Sequence, residues 1–198
     1  MTNERLRYDN QGEPALVARA QAGEYQAFEE LVRLYRNDVF AVSFHFVHNR
    51  EDAWDISQEV FVKAFKALNR FRGDASFKTW LLRIASNQCK DFLKKRRLKT
   101  VSFDETIFAE AASATTDEPR QLLENKELAA AIQKALDGLS HKHRTAFILR
   151  EYEGLSYEDM ANVMECNLGT VMSRLHHARK KLQKSLRQQG VWGENGNE

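Results

Sequence analysis

The stretch from Leu155 to Leu186, LSYEDMANVMECNLGTVMSRLHHARKKLQKSL, decides how the rest of the chain is to be read. Apolar residues Met160, Ala161 and Met164 recur at helical spacing, a break follows at Glu165-Cys166-Asn167, and Val171, Leu175, Ala178, Leu182 and Leu186 resume the period. Two helices joined by a tight turn are expected. Ser156 with Asp159 three residues on has the form of a capping box for the first helix, and Asn167 is placed to cap the second. Gly169 and Thr170 add little bulk to the start of the second helix, which suits close approach of its N-terminus to a phosphate.

Charge divides at the same turn. Glu158, Asp159 and Glu165 lie before or within it, whereas from Cys166 to Gly193 there is no acid, and the cations are Arg174, Arg179, Lys180, Lys181, Lys184 and Arg187. One apolar stripe with a wholly basic remainder is the pattern of the DNA-reading helix in a helix-turn-helix unit. The bland alternative is a solvated basic face on a packing helix.

Composition narrows the setting. The chain has 198 residues, of which 42% are hydrophobic and 29% charged, enough for modest cores in one domain or two small ones. With 9 Gly and 2 Pro, and no alternating β-branched runs bounded by turn residues, the expected fold is all-α. A formal net charge of +2 means that any nucleic-acid contact comes from local patches, not from a polycation. Cys89 and Cys166 stand far apart, and with no long apolar span or secretory signal a reducing, cytoplasmic setting without direct membrane insertion is expected.

Outward from the decisive stretch, residues 1–12 are polar and expected to lack order. A helical pattern begins near Pro14 with Leu16, Val17 and Ala20, is punctuated around Gly23, and continues through Phe28, Leu31, Val32, Tyr35, Val39 and Phe40 to Val47. His45 and His48 in this run are read as packing or surface residues. In the next segment Ile56, Val60, Phe61, Ala64, Phe65 and Leu68 form an apolar stripe, leaving Asp52, Asp55, Gln58, Glu59 and Lys63 outward. Those acids either suit the helix dipole or make a docking face for a basic partner helix.

After the Arg72-Gly73-Asp74 turn, a helix from about Ser76 to Arg97 packs Trp80, Leu81, Ile84 and Ala85 and ends in Lys90, Lys94, Lys95, Arg96, Arg97 and Lys99. Phe71, Phe77, Trp80 and Phe92 interleave with these cations, a combination that can hold single-stranded nucleic acid by charge and stacking, although aromatics at helical spacing also serve a core. Residues 101–125 turn acidic, with Pro119 near their end, and read as a flexible linker. Helical pattern returns at Leu128, Ile132, Ala135, Leu136 and Leu139, breaks at Ser140, and continues into the helix-turn-helix as a four-helix unit.

From about Pro14 to Leu186 these residues resemble a known family. DISQEVFVKAFKAL, then FRGDASFKTWLLRIASNQCKDFLKKRR, then LREYEGLSYEDMANVMECNLGTVMSRLHHARKKL follow one another as in the extracytoplasmic-function sigma factors of bacterial RNA polymerase, of the sigma-E and sigma-W type. The resemblance implies two small helical domains, region two over 13–99 and region four over 126–189, joined by a linker over 100–125. It implies that Asp55, Gln58 and Glu59 grip a basic coiled coil of core RNA polymerase. It implies that Trp80, Asn87, Lys94, Lys95, Arg96 and Arg97 lie in the segment that opens promoter DNA at the minus-ten element, where the cost of unstacking a base can be offset by pocket contacts and stacking. Thr170, Ser173, Arg174 and His177 would read the minus-thirty-five element in the major groove, with Lys181 better placed for phosphate. Met172 and His177 depart from the basic residues many relatives carry there, so base preference at those positions cannot be transferred. An anti-sigma factor is a further implied partner; no cofactor or metal is expected. The short connection between Lys99 and Leu128, with no acidic domain before Pro14, is expected to set the chain in the two-domain group.

Two rivals compete with this reading. A stand-alone helix-turn-helix regulator with an N-terminal sensing or dimerising half would bind palindromic sites without polymerase. A helical enzyme or metal protein would draw on His45, His48, Cys89, His141, His143 or Cys166, yet these form no paired-ligand motif, and no phosphate loop or acid-base dyad accompanies them.

Overall fold

The computed structural model describes residues 12–101 and 119–191, with side chains over 12–98 and 127–191. The N-terminal half comprises α1 (Gly12–Gln21), α2 (Tyr25–Val47), α3 (Arg50–Ala67), a 3-10 turn (Leu68–Arg70) and α4 (Phe77–Val101). The C-terminal half comprises α5 (Pro119–Asp137), α6 (His141–Glu151), α7 (Tyr157–Met164) and α8 (Leu168–Gln188). Two helical bundles result, and the described residues contain no strand.

Local sequence sets the ends of these helices. Asn49 opens α3 by accepting from the Asp52 amide at 2.9 Å, with Glu51 and Asp52 adding negative charge where the helix dipole is positive. Glu13 of α1 accepts from the Phe77 amide at 3.0 Å, and Ser76 Oγ accepts from the Thr79 amide at 3.0 Å, so α4 starts at a fixed place against α1. The first bundle closes on Leu31, Val42, Phe46, Ile56, Val60, Phe77, Leu81 and Leu82, all nearly free of solvent contact. Removing a ring such as Phe46 or Phe77 from this packing costs about 3–5 kcal/mol.

The two halves are packed, not strung apart. Ile148, Leu149, Leu155, Met160, Val163, Val171 and Leu175 join the N-terminal residues in one continuous apolar cluster, while Ala131, Ala135, Leu136, Leu139, Ala178, Leu182 and Leu186 form a second one between α5 and α8. Across the seam, Lys78 Nζ lies 3.2 Å from Glu153, Thr79 Oγ1 donates to Asp159 at 3.1 Å, and Arg83 meets Glu165 at 3.2 Å. Further along, His45 stacks on Tyr152 at 3.7 Å and Phe46 on His141 at 5.1 Å. Arg144 of α6, only 5% exposed, donates to His48 and, at 2.8 Å, to Asp137.

Several sequence expectations are corrected. Helix α5 begins at Pro119, so residues 119–125 are helical where a flexible tether was expected; proline suits a first turn because its missing N–H would find no partner there. Thr100 and Val101 continue α4, and Gly12 already belongs to α1. The remaining linker residues, 102–118, lie outside the described residues, as do 1–11. Phe65 leaves the expected stripe: it is 50% exposed and packs edge-on against Phe28. In α7 the fully buried pair is Met160 and Val163, with Ala161 and Met164 half-buried. His45 and His48 do have a packing role, because the other half of the chain covers them.

This seam makes stability depend on pH. Burial first, and then nearby Arg144, lowers His48 to about 3; burial, Lys90 and Arg144 lower His141 to about 4. Both rings are therefore neutral in the packed state. Unfolded histidine titrates near ~6.5, so the unfolded chain binds more protons below that pH, and the seam keeps its full stability above it and loses stability as pH falls toward 4. His141→Phe preserves a ring against Phe46 and removes one titrating group. Melting temperature followed by circular dichroism should fall less between pH 7 and pH 4.5 in the variant than in the wild type; parallel curves would show that His141 is not held neutral.

Candidate nucleic-acid and polymerase interfaces

Helix α8 is held by its apolar stripe. Val171, Leu175, Ala178, Leu182 and Leu186 are all buried, and Asn167 Oδ1 accepts from the Thr170 amide at 2.8 Å to cap the first turn. The preceding turn depends on Glu165, whose φ of +49° is unusual for a non-glycine residue and reverses the chain between α7 and α8. Ser156 caps α7 by accepting from the Asp159 amide at 3.0 Å, while the Asp159 carboxylate accepts from Ser156 Oγ at 2.8 Å rather than from its amide. The expected capping box is thus half made.

Thr170, Ser173, Arg174, His177 and Lys181 follow helical spacing and share one side of α8, bordering its stripe at Thr170 and Arg174. Ser173, His177 and Lys181 are exposed; Thr170 and Arg174 are half-buried, and Arg174 Nη1 lies 3.4 Å from Cys166 Sγ. Not every cation on this helix is open, because Arg179 is tied to Glu151 at 2.6 Å. Met172, 50% exposed, lies two residues from Thr170 and from Arg174 and so points away from the side those residues share.

The second site is on α4 and the loop before it. Trp80 packs against Phe71 at 5.2 Å and Phe77 at 5.5 Å; Phe77 is buried, leaving Phe71 and Trp80 as a half-buried aromatic lip. A cavity of about 310 Å³ opens beside them, with Arg70, Arg72 and Arg83 supplying cations and Asn162 of α7 a further wall. Gln21 of α1 sets this loop by donating to the carbonyls of Leu68, at 2.9 Å, and Phe71, at 2.8 Å. From Trp80, a period of 3.6 residues carries Arg83, Asn87, Lys90, Lys94 and Arg97 along one side of α4. Asn87, Lys94, Lys95, Arg96 and Arg97 are all exposed. Arg96 turns to the other side, toward Asp52 of α3 at 3.6 Å, so the terminal cations do not act as one cluster.

Sequence reading missed Arg70, Arg72, Arg83 and Gln21 as parts of this site. The signal for Arg83 was present, since it stands three residues after Trp80 and four before Asn87. Gln21 had no local signal, because its partners are 47 and 50 residues away.

The third face is the outside of α3. Asp55 and Gln58 are exposed, as is Glu59, but Glu59 accepts from Gln88 of α4, whose Oε1 accepts in turn from Lys63. Glu59 therefore does double duty, and Asp55 is the cleaner acid for a partner. Trp54 and Val62, 57% and 53% exposed, lie on this side, so the face is less purely polar than the sequence stripe suggested. An open groove of about 780 Å³ runs past Phe40, Trp54 and Asp55. Among the described residues no His/Cys/Asp/Glu group is arranged to hold a metal, and Cys89 is pushed up to about 12 by burial.

Comparison with known proteins matches residues 31–99 to Sigma-70 region 2 and residues 129–182 to Sigma-70, region 4. The chain is 41% identical over 177 residues to the RNA polymerase sigma-H factor of Pseudomonas aeruginosa, an alignment spanning 86% of this chain and 92% of that protein. It is 38% identical over 173 residues to the ECF RNA polymerase sigma-E factor of Escherichia coli K12, spanning 84% and 90% respectively. Among solved structures it resembles CnrH in complex with the cytosolic domain of CnrY, with a TM-score of 0.67, 25% identity, and coverage of 89% of this chain and 97% of that one. It also resembles the sigma factor RpoE of Bartonella quintana in complex with the anti-sigma factor NepR, with a TM-score of 0.61, 27% identity, and coverage of 81% and 96%.

The Gln21 contacts carry a prediction about the aromatic lip. Gln21→Ala leaves two carbonyls of the loop without their donor and should cost about 1–2 kcal/mol in urea unfolding with an unchanged slope. A loss below about 0.3 kcal/mol would mean that water replaces the amide and the loop holds itself.

Proposed function

Because the chain belongs to the extracytoplasmic-function group of the sigma-70 family of RNA polymerase sigma factors, we propose that its three exposed faces divide the work of promoter-specific initiation among core docking, strand capture and duplex reading. As a sigma factor it is not an enzyme. Its activity consists of binding core polymerase and directing it to promoters. The observation that carries the division is the separation of chemistry: an aromatic lip with cations on α4, a basic side with small polar residues on α8, and an acidic face with exposed Trp54 on α3.

Residues 13–99 are assigned to docking and the minus-ten element, and residues 126–189 to the minus-thirty-five element. Asp55 and Gln58, with Glu59 behind them, meet a basic helix of core polymerase. Trp80 and Asn87 take an unstacked base, and Lys94, Lys95 and Arg97 follow the phosphates, with Arg96 joining them if it leaves Asp52. Thr170, Ser173, Arg174 and His177 face base edges, and Lys181 a phosphate. Regulation by an anti-sigma factor is supported by two solved relatives, CnrH in complex with the cytosolic domain of CnrY and RpoE in complex with the anti-sigma factor NepR. None of the described helices is long and apolar enough to cross a membrane, and we assign the protein to the cytoplasm, where the polymerase works.

Each face has its own test. Asp55→Lys should abolish co-purification with core polymerase at unchanged helicity, because Asp55 is exposed and off the buried stripe; retention of core would remove α3 as the docking element. Arg174→Ala should lose about 1–3 kcal/mol of discrimination between cognate and altered minus-thirty-five duplexes at fixed salt. Asn87→Ala should slow transcription from closed linear promoters far more than from templates already melted at the minus-ten element. Equal effects on both templates would mean that Asn87 does not act in strand capture.

A further inference from the structure

We infer that His143, in the first turn of α6, is a further contact of the duplex-reading face: with His177 of α8 it takes up a proton from solvent, and the two rings hold a backbone phosphate of the minus-thirty-five duplex between them. The inference rests on the reading of α8 as the duplex-reading helix. The ring of His143 lies 6.1 Å from that of His177, centre to centre, and His177 is exposed on the side of α8 that carries Thr170, Ser173, Arg174 and Lys181. Two helices thus bring one imidazole each to the edge of the same surface. A phosphate oxygen at about 2.8 Å from an N–H of each ring would bridge them. His177 has two ring nitrogens, so one can serve this phosphate while the other faces a base edge.

Local chemistry sets the His143 ring for this contact. Ser140 stands at the N-cap of α6, but its side chain caps no amide; its Oγ lies 3.0 Å from His143 Nδ1 instead. A hydroxyl both donates and accepts, so the same contact holds the neutral ring, with Oγ as donor, and the protonated ring, with Oγ as acceptor. Nε2 remains as the ring's other donor. Around the pair stand Arg174, His176 and Lys181 of α8, with His141 and Lys142 next to His143 in the chain. Acids near either end of α6 are already paired, Asp137 with Arg144 at 2.8 Å and Glu151 with Arg179 at 2.6 Å. None stands in the first turn of α6 or between Cys166 and Gly193. Burial, and then Lys181, His177 and Arg174, lower the proton affinity of His143, which biases the ring toward its neutral form in the free chain. A phosphate reverses that balance, because it supplies the anion the cluster lacks.

Protonation and DNA binding are then linked, and the linkage is reciprocal: duplex raises the proton affinity of the pair, and acid tightens duplex binding. A phosphate contact carries no base sequence, so the probe needs no particular promoter. The test uses the full chain and anisotropy with a fluorescein-labelled pool of random duplex 20-mers between pH 8 and pH 6, at fixed salt and with EDTA to keep metal ions from bridging the imidazoles. His48 and His141, lowered to about 3 and about 4, stay neutral throughout this range. The wild type should bind about tenfold more tightly at pH 6 than at pH 8, the response to uptake of roughly one proton by groups that ordinarily titrate near ~6.5. His143→Gln and, separately, His177→Gln keep a hydrogen-bonding side chain that cannot titrate, and each should cut the response to about twofold or less. His176→Gln should keep it.

A full response in His143→Gln, whether or not His177→Gln loses it, overturns the shared phosphate contact, as does wild-type binding that ignores pH. Lys181→Ala and Arg174→Ala separate this outcome from the reading of α8. Each should weaken binding at every pH; if neither does, α8 is not the duplex-reading helix and the contact at His143 falls with it. The wild-type chain supplies a measurement independent of any binding variant: the ring-proton resonances of His143, assigned by their loss in His143→Gln, should titrate at higher pH once the duplex pool is added. A titration that duplex leaves unmoved overturns the contact.

Discussion

One helix has to satisfy three environments, and the rest of the molecule is arranged around it. Leu81, Leu82, Ala85 and Cys89 turn one side of α4 into the N-terminal core; Thr79, Arg83 and Ser86 turn its edge toward the C-terminal half; and Trp80, Asn87 and Lys94 occupy what remains. A helix offers 3.6 residues per turn, so these sectors share borders. Arg83 and Trp80 stand at such a border. Any rearrangement that frees them must expose the edge that α7 covers. The start of α4 is held by Glu13, Ser76 and the loop tied down by Gln21, which keeps the aromatic lip in register with the core below it.

A net charge of +2 conceals a strong internal division. Basic residues line α8 and the end of α4, and many of the balancing acids are spent inside the fold: Glu151 on Arg179, Asp52 on Arg96, Glu165 on Arg83. Such pairs contribute little to stability at the surface, but they decide which cations are available to phosphate. Lys180, Lys181, Lys184 and Arg187 on α8 are exposed, whereas Arg83 on α4 is paired with Glu165.

The helices and both bundles were legible because their signals are local: the buried stripe of α8 is the sequence stripe residue for residue, and Asn167 caps where its side chain implied. Thr170, Ser173, Arg174, His177 and Lys181 were singled out by the family resemblance alone, and the helical period puts them on one side of α8. What escaped depends on partners far along the chain. Phe65 looks apolar and periodic, yet no neighbour covers it fully. Gln21 and Arg144 look like ordinary polar residues of helices until tertiary packing places carbonyls, a histidine and an aspartate around them. Glu59 kept its exposure but acquired Gln88, which no stripe along α3 could reveal. The acidic composition after Val101 suggested a tether, but composition does not locate a helix start, and Pro119 punctuates by opening α5 rather than by ending the linker.

Arg144 shows why the seam is specific as well as apolar. A buried guanidinium needs acceptors that do not themselves carry positive charge, and His48 can serve only while neutral. Its backbone supplies the position: His48 ends α2 at a φ of +53°, donating its amide to Phe44 at 2.8 Å, a left-handed conformation in which histidine is over-represented among non-glycine residues. Asn49 then caps α3 at once, so the strained link is shared by two helices and cannot relax without loosening both. Asp137 supplies the countercharge from the end of α5, and the Phe46 ring lies 5.9 Å below the guanidinium. Among the described residues Arg144 Nε has no hydrogen-bond partner. A seam that relies on a buried cation and a neutral histidine acceptor is specific as well as apolar, because protonating His48 would set two positive charges in contact.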